Sequence, residues 1–373
     1  MEQPTPPGTF LHVAGARPNF PKLAPVYDAL RRRGARQFVV HTGQHFDDAL
    51  SGVFFRQLGM PTPDRNLGVS GGSDSEVIAR IMLEFEAVAR SIDPVCVIVY
   101  GDVNSTIAAA TVAVKLGIPV AHVEAGLRSR DRSMPEEINR IVTDHLASVH
   151  FATSADAVEN LAAEGITGEG VELVGNPMID TLLLSMERFD AEALRRDLRL
   201  PHEYATVTVH RPGNVDTDED AREIVEAVHG VADLVDVVLP VHPRGSARLR
   251  SQGLEKHDRV HVVPPLGYLE FMGLVRESRL VVTDSGGVQE ETTVLGVPCL
   301  TLRANTERPV TITHGSNQLV GRESVVRAAT QVLAEERGVS VRPPLWDGAA
   351  GERIADSLNR RFQHLSINCA QNR

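Results

Sequence analysis

Short apolar runs alternate with stretches of helical periodicity along this chain, and the alternation occurs twice. In the first half, TFLHVAG (9–15), QFVVHTG (37–43), VCVIVYGD (95–102), PVAHVEAG (119–126) and SVHFATS (148–154) read as buried strands. Between them, Leu23, Val26, Tyr27 and Leu30, then Val77, Ile78, Ile81, Met82 and Phe85, recur at helical spacing. Continuous apolar strands separated by helices predict a parallel sheet covered on both faces. The second half repeats this with YATVTVHR (204–211), DVVLPVHPR (236–244), RVHVVPP (259–265), RLVVTDSGG (279–287) and VPCLTLR (297–303). Its helical spacing falls at Ile224, Val225 and Val228, and at Leu269, Met272 and Val275. The fold class is therefore α/β, with two Rossmann-like domains.

A chain of 373 residues is long for a single core, which agrees with two domains. The boundary is placed at GNPMIDTL (175–182), giving an N-terminal domain 1–176 and a C-terminal domain 177–354. A last helical segment spans Ile354 to Leu365, and the tail INCAQNR is expected to fray. The formal charge of −11 argues against a general nucleic-acid binder. No run reaches the roughly 20 apolar residues needed to span a bilayer. MEQPTPPGTF lacks the basic and apolar regions of a signal peptide. Cys96, Cys299 and Cys369 are far apart, and the first two lie in apolar runs, so buried reduced thiols in a cytoplasmic protein are expected.

Several polar clusters sit just past a predicted strand, where doubly wound sheets place their ligands. DSGGVQEE (284–291) offers free N–H groups at a helix start, suited to a phosphate, with Glu290 and Glu291 one turn on for a ribose diol. A capped helix with acidic residues near its positive end is the competing reading. In GARPNFPK (15–22), Arg17 and Lys22 could meet an anionic leaving group or begin a solvated helix. Asp102 could cap the next helix or titrate in a cleft. Glu124 ends an apolar strand, where desolvation would suit it to general acid or base work; an ion pair with Arg128 is the alternative. In MPEEINR (134–140), Glu136 and Arg140 share a helical face, which also permits an ordinary i,i+4 ion pair. His210 could serve a phosphate or a proton transfer, or be a satisfied core histidine. GxGxxG after the first strand, GxxxxGK[ST] and HExxH are absent, and the histidines lack metal-ligand spacing, so neither a dinucleotide nor a metal is expected.

In this order, GARPNFPKLAP, TGQH, GDVNST, HVEAGLR, PEEINR, GNPMIDTL, TVHRPGN, PVHPR, TDSGGVQEE and NTERPVT closely resemble the non-hydrolysing UDP-N-acetylglucosamine 2-epimerase family, along about residues 10–320. The resemblance implies a glycosyltransferase type-B (GT-B) architecture with its active site in the interdomain cleft. It also implies a C-terminal helix 355–373 returning to the first domain, a homodimer, and closure over the nucleotide. The implied reaction interconverts UDP-GlcNAc and UDP-ManNAc. UDP leaves by anti elimination, 2-acetamidoglucal stays bound, and UDP is added back, without a cofactor.

Carried over motif by motif, Asp102, Glu124 and Glu136 become the acid–base carboxylates, and His210 joins them as a catalytic group. Arg17, Lys22 and Arg140 surround the diphosphate, and Ser285, Gly286, Gly287 and Glu291 cradle UDP. Gln44, Arg211 and His242 fit an allosteric UDP-sugar site, although the second of the family's two glutamines there is Asp47. Asn19 stands where the family commonly has Glu, and Gly213 where many members have Glu. A related epimerase of a UDP-diacetamido-uronic acid carries QKE in place of QEE and a Trp-containing version of TERP, so Gln289-Glu290-Glu291 and Thr306-Glu307-Arg308-Pro309 favour the simple sugar. A hydrolytic epimerase, a GT-B glycosyltransferase and a nucleotide-sugar sensor are the other readings.

Overall fold

The computed structural model describes residues 8–43, 55, 57–241, 245–335 and 342–369. The chain forms two compact units, Met1–Leu184 with Pro344–Arg373, and Ser185–Pro343. Each is built around one all-parallel sheet.

In the first unit, seven strands lie in the order β3-β2-β1-β4-β5-β6-β7. They are β1 (Thr9–Ala14), β2 (Arg36–His41), β3 (Arg65–Asn66), β4 (Cys96–Tyr100), β5 (Val120–Ala125), β6 (Val149–Ala152) and β7 (Val171–Leu173). Every residue of β1, β4, β5 and β6 is buried, which is why these segments read as unbroken apolar runs. The strand order reverses direction between β1 and β4, and the crevice at such a switch point is where ligands of doubly wound sheets bind.

The flanking helices follow their sequence signals. Asp74–Ile92 buries Val77, Ile81 and Phe85. It opens with a capping box: Ser73 Oγ accepts from Glu76 N at 3.3 Å, and Glu76 Oε2 from Ser73 N at 2.7 Å. It closes on left-handed Asp93.

The last helix, Ala350–Cys369, packs on Phe20–Arg32 so closely that a Cβ on Gly351 would lie 2.7 Å from the Pro25 carbonyl. Asp180 accepts from Ala350 N at 3.2 Å and Gly351 N at 2.7 Å, and burial pushes its carboxyl up to about 6. The helix Pro177–Ser185, placed after the boundary in the sequence reading, lies largely in this first unit. Thr181 Oγ1 donates to Pro21 O at 2.6 Å, and Asp180 is its link to the last helix.

The second unit orders its six strands β10-β9-β8-β11-β12-β13. They are β8 (Tyr204–Thr208), β9 (Asp236–Pro240), β10 (Val260–Val263), β11 (Leu280–Thr283), β12 (Cys299–Leu302) and β13 (Asn317–Val320). Its switch point lies between β8 and β11, and Ile224, Val225 and Val228 pack on the sheet from the helix Asp218–Ala232. Cys96 and Cys299 are buried free thiols. Among the described residues, no helix is long and apolar enough to cross a membrane.

Candidate active site

In the first unit the site residues gather at the carboxyl ends of β1, β4 and β5. The turn after β1 is organised by Asn19. Its Oδ1 accepts from Gly15 N and Ala16 N, both at 3.0 Å, and its Nδ2 donates to Tyr100 O at 2.8 Å. An amide can accept and donate at once; a carboxylate at this position could not make the bond to Tyr100. Gly15 has no room for a side chain, because a Cβ would lie 1.9 Å from Ser105 Oγ and 2.3 Å from Thr42 Oγ1. Arg17 begins the short helical turn that follows; it is half-buried, and burial lowers its guanidinium from its ordinary value.

Lys22, on the helix after that turn, forms a buried ion pair with Glu124. Glu124 has φ of 75°, a strained setting for a residue with a Cβ, and the pairing of β5 with β6 shifts register between Val123 and Ala125. Such strain persists only where the surroundings hold it, and it recurs at active sites. Gly101, at the end of β4, leaves space for the pair. A Cβ there would lie 2.9 Å from Glu124 Oε2 and 3.0 Å from Lys22 Nζ, and its φ is +63°. The expected partner, Arg128, is occupied elsewhere, by Asp144 at 2.8 Å and Glu164 at 2.6 Å.

The next residue, Asp102, is half-buried and paired with Arg140. Arg140 also pairs with Glu137 three residues earlier, so the i,i+4 pair with Glu136 anticipated from spacing gives way to a bridge between a helix and a strand end. Glu137 is buried and ties down the preceding loop. It accepts from Ser129 N and Oγ, both at 2.9 Å, and from Arg130 N at 2.8 Å. Glu136, half-buried, stands in the first turn of the same helix.

In the second unit Asp284, past β11, holds the loop after β8. Its Oδ2 accepts from His210 N at 2.9 Å, Arg211 N at 2.8 Å and Asn214 Nδ2 at 3.0 Å, while Oδ1 lies 2.9 Å from His210 Nδ1. Burial opposes the charge, but His210, Asn214 and the Arg211 N–H together bring its carboxyl down to about 2. His210 is thus oriented through Nδ1, with a side chain 37% exposed, instead of being a core histidine. Asp284 is a residue of this cluster that spacing did not single out by itself; its signal was a carboxylate directly after an apolar strand.

Ser285 occupies the N-cap of Gly286–Leu295 and makes no side-chain cap bond to the first turn. A side chain on Gly286 would displace the buried Arg308–Glu307 pair, since a Cβ would sit 2.6 Å from Arg308 Nη1 and 2.9 Å from Glu307 Oε1. The QEE and TERP segments interlock: Glu290 pairs with Arg308 at 3.0 Å, and Thr306 Oγ1 donates to Gln289 Oε1 at 2.8 Å. Glu291 is buried against Tyr268. Burial, with Glu290 alongside, pushes its carboxyl up to about 8, against the opposing Tyr268 hydroxyl. Arg211, an allosteric candidate, donates from Nε to Asp284 O at 2.9 Å. The other two, Gln44 and His242, lie outside the described residues, as does Asp47.

The first unit therefore presents carboxylates paired with cations, groups able to exchange a proton at a carbon and to stabilise a departing anion. The second presents a glycine helix start with an oriented histidine, suited to a diphosphate.

A family model described as UDP-N-acetylglucosamine 2-epimerase matches residues 28–359. The UDP-N-acetylglucosamine 2-epimerase of Methanocaldococcus jannaschii is 39% identical over 93% of this chain and 97% of that protein. The UDP-2,3-diacetamido-2,3-dideoxy-D-glucuronate 2-epimerase of Pseudomonas aeruginosa is likewise 39% identical, over 93% of this chain and 98% of its own. The crystal structure of the M. jannaschii enzyme in complex with UDP-GlcNAc and UDP superposes with a TM-score of 0.89 at 38% identity, covering 94% of this chain and 99% of that one.

Proposed function

The chain belongs to the UDP-N-acetylglucosamine 2-epimerase family, and we propose that it interconverts UDP-GlcNAc and UDP-ManNAc by anti elimination of UDP and its re-addition to 2-acetamidoglucal. The observation that carries this reading is the pair of carboxylates on adjacent strand ends, each matched to its own cation: Glu124 with Lys22 and Asp102 with Arg140. Removal of the C2 proton needs a positioned base, and departure of UDP needs charge stabilisation. Asp102, Glu124 and Glu136 take the acid–base roles. Arg17, Lys22, Arg140 and His210 take the charge that develops on the diphosphate. Ser285, Gly286 and Gly287 hold that diphosphate through the helix start, and Glu291 takes the ribose. Family membership supports a homodimer working in the cytoplasm.

Incubation with UDP-GlcNAc alone in deuterated water tests the reading. Deuterium should enter C2 of the sugar without an acceptor, UDP-ManNAc should accumulate, and free ManNAc should not. Asp102→Asn, Glu124→Gln and Glu136→Gln should each lower turnover by roughly 10²–10⁴-fold. Exchange that requires an added acceptor, or full turnover in all three variants, would refute it.

A second reading, epimerisation of a UDP-diacetamido-uronic acid, is favoured by the P. aeruginosa relative. The interlocked QEE and TERP segments count against it. Lys in place of Glu290 would set a second cation against Arg308, so a change in one segment demands a change in the other. Parallel assays on the two sugars separate these readings.

A further inference from the structure

His122 lies on β5 two residues before Glu124, is fully buried, and faces away from any role yet described. Its Nε2 is 2.9 Å from the Gly101 carbonyl oxygen and its Nδ1 is 2.6 Å from Asp144 Oδ1. A carbonyl can only accept, so Nε2 carries a hydrogen. Asp144 Oδ2 already accepts from Gly126 N at 3.1 Å and from Arg128 at 2.8 Å. Asp144 Oδ1 thus holds the ring at Nδ1 while the Gly101 carbonyl holds it at Nε2. Around this centre stand Arg128, paired also with Glu164, and His150, whose Nε2 lies 2.7 Å from the Asp144 backbone oxygen and whose imidazole is held by burial below its usual range.

Three consecutive residues of β5 grip Gly101. His122 holds its carbonyl, Val123 O accepts from its N–H at 3.0 Å, and the Glu124 carboxylate borders the space a Cβ there would need. The residue after Gly101 is Asp102, whose own carbonyl accepts from Asn139 Nδ2 at 2.9 Å. One side chain is thus coupled through a single glycine to both carboxylates.

We propose that His122, clamped by Asp144, is a positioning residue of the epimerisation, fixing Gly101 and through it the geometry of Asp102 and Glu124. This rests on the acid–base reading of those carboxylates. A ring held at Nε2 by a carbonyl and at Nδ1 by a carboxylate has one orientation. An amide in its place could donate to Gly101 but would turn its oxygen, or nothing, toward Asp144. The loss should therefore appear in the chemical step and not in nucleotide binding.

The test has two arms. In ¹⁵N-histidine-labelled protein, the His122 Nε2–H should show a scalar coupling across its hydrogen bond to the Gly101 carbonyl; an Nε2 without a hydrogen there would overturn the assignment even if no variant folds. In His122→Gln, turnover at saturating UDP-GlcNAc should fall on the order of 10²-fold, with UDP affinity and KM little changed. Turnover near that of the parent protein, or a loss confined to KM, would overturn it. Asp102→Asn and Glu124→Gln are measured alongside. If those two keep their turnover, the carboxylate reading itself has failed; if they lose it while His122→Gln does not, only the positioning role has.

Discussion

Lys22 and Glu124 have side chains only 6% and 3% exposed, so neither charge is hydrated and each depends on the other. Removing one partner of such a pair leaves an uncompensated buried charge, at a cost of about 3–5 kcal/mol, whereas replacing both is far less costly. Lys22→Met should lower the unfolding midpoint in urea markedly, and the double variant Lys22→Met/Glu124→Gln should recover most of that loss while remaining inactive. Additive losses would show that the two charges are not energetically coupled. Glu291 bears a different burden. Its carboxyl rises from an ordinary 4.5 to about 8, so it is protonated in the fold at neutral pH but ionised in the unfolded chain. Its contribution is fully present below 4.5 and is lost as pH rises through about 8, because unfolding over that interval releases a proton. Thermal melts from pH 5 to 9 should show stability falling more steeply in the parent protein than in Glu291→Gln, whose neutral amide does not titrate.

At the scale of elements, the segment His210–Asn214 runs from the end of β8 into a single helical turn, Pro212–Val215, and three of its donors converge on the Asp284 carboxylate from the neighbouring strand end. Asp284→Asn replaces one acceptor oxygen with a donor facing those groups. It should lower turnover about as much as His210→Asn does, and the double variant should lose little more, since Asp284 acts through His210. Equal but fully additive losses would assign Asp284 a separate role. The buried strands were legible in sequence because parallel sheets covered on both faces demand unbroken apolar runs, as in CVIVY of β4. Three of the four edge strands, β3, β7 and β13, were not. Arg65–Asn66 is two exposed polar residues, Val171–Leu173 is three partly exposed ones, and Asn317–Val320 opens on a buried Asn bonded to Thr301 at 2.6 Å. Site residues were legible by their place after strands, but their pairings were not. Arg140 meets Glu137 as an ordinary i,i+3 helical pair, but that it also reaches Asp102, or that Arg128 turns to Asp144, is decided by which strand lies beside which, and spacing along one helix says nothing of it.

At the scale of the whole molecule, the proposed roles are divided between the units. The helix start Gly286–Leu295 belongs to the second, and the carboxylates Asp102, Glu124 and Glu136 to the first. Nucleotide binding and proton transfer should then be separable by mutation. UDP should raise the melting temperature, because a ligand of the native state stabilises it by roughly 2.7 kcal/mol at a hundredfold excess over its Kd. The groups offered to the diphosphate are the N–H donors of the glycine turn, His210 and the basic side chains, so the shift should be the same with and without a chelator. Asp102→Asn and Glu124→Gln should keep the shift while losing turnover. Gly286→Ala should lose it, because its Cβ would press on the Arg308 and Glu307 side chains beneath the turn and displace the donors. Differential scanning fluorimetry on these variants, with UDP and with UDP plus chelator, reads all of this in one series. A shift that vanishes with chelator, or one that survives in Gly286→Ala but is lost in the carboxylate variants, would move the diphosphate away from the helix start and require a different account of which unit binds the nucleotide.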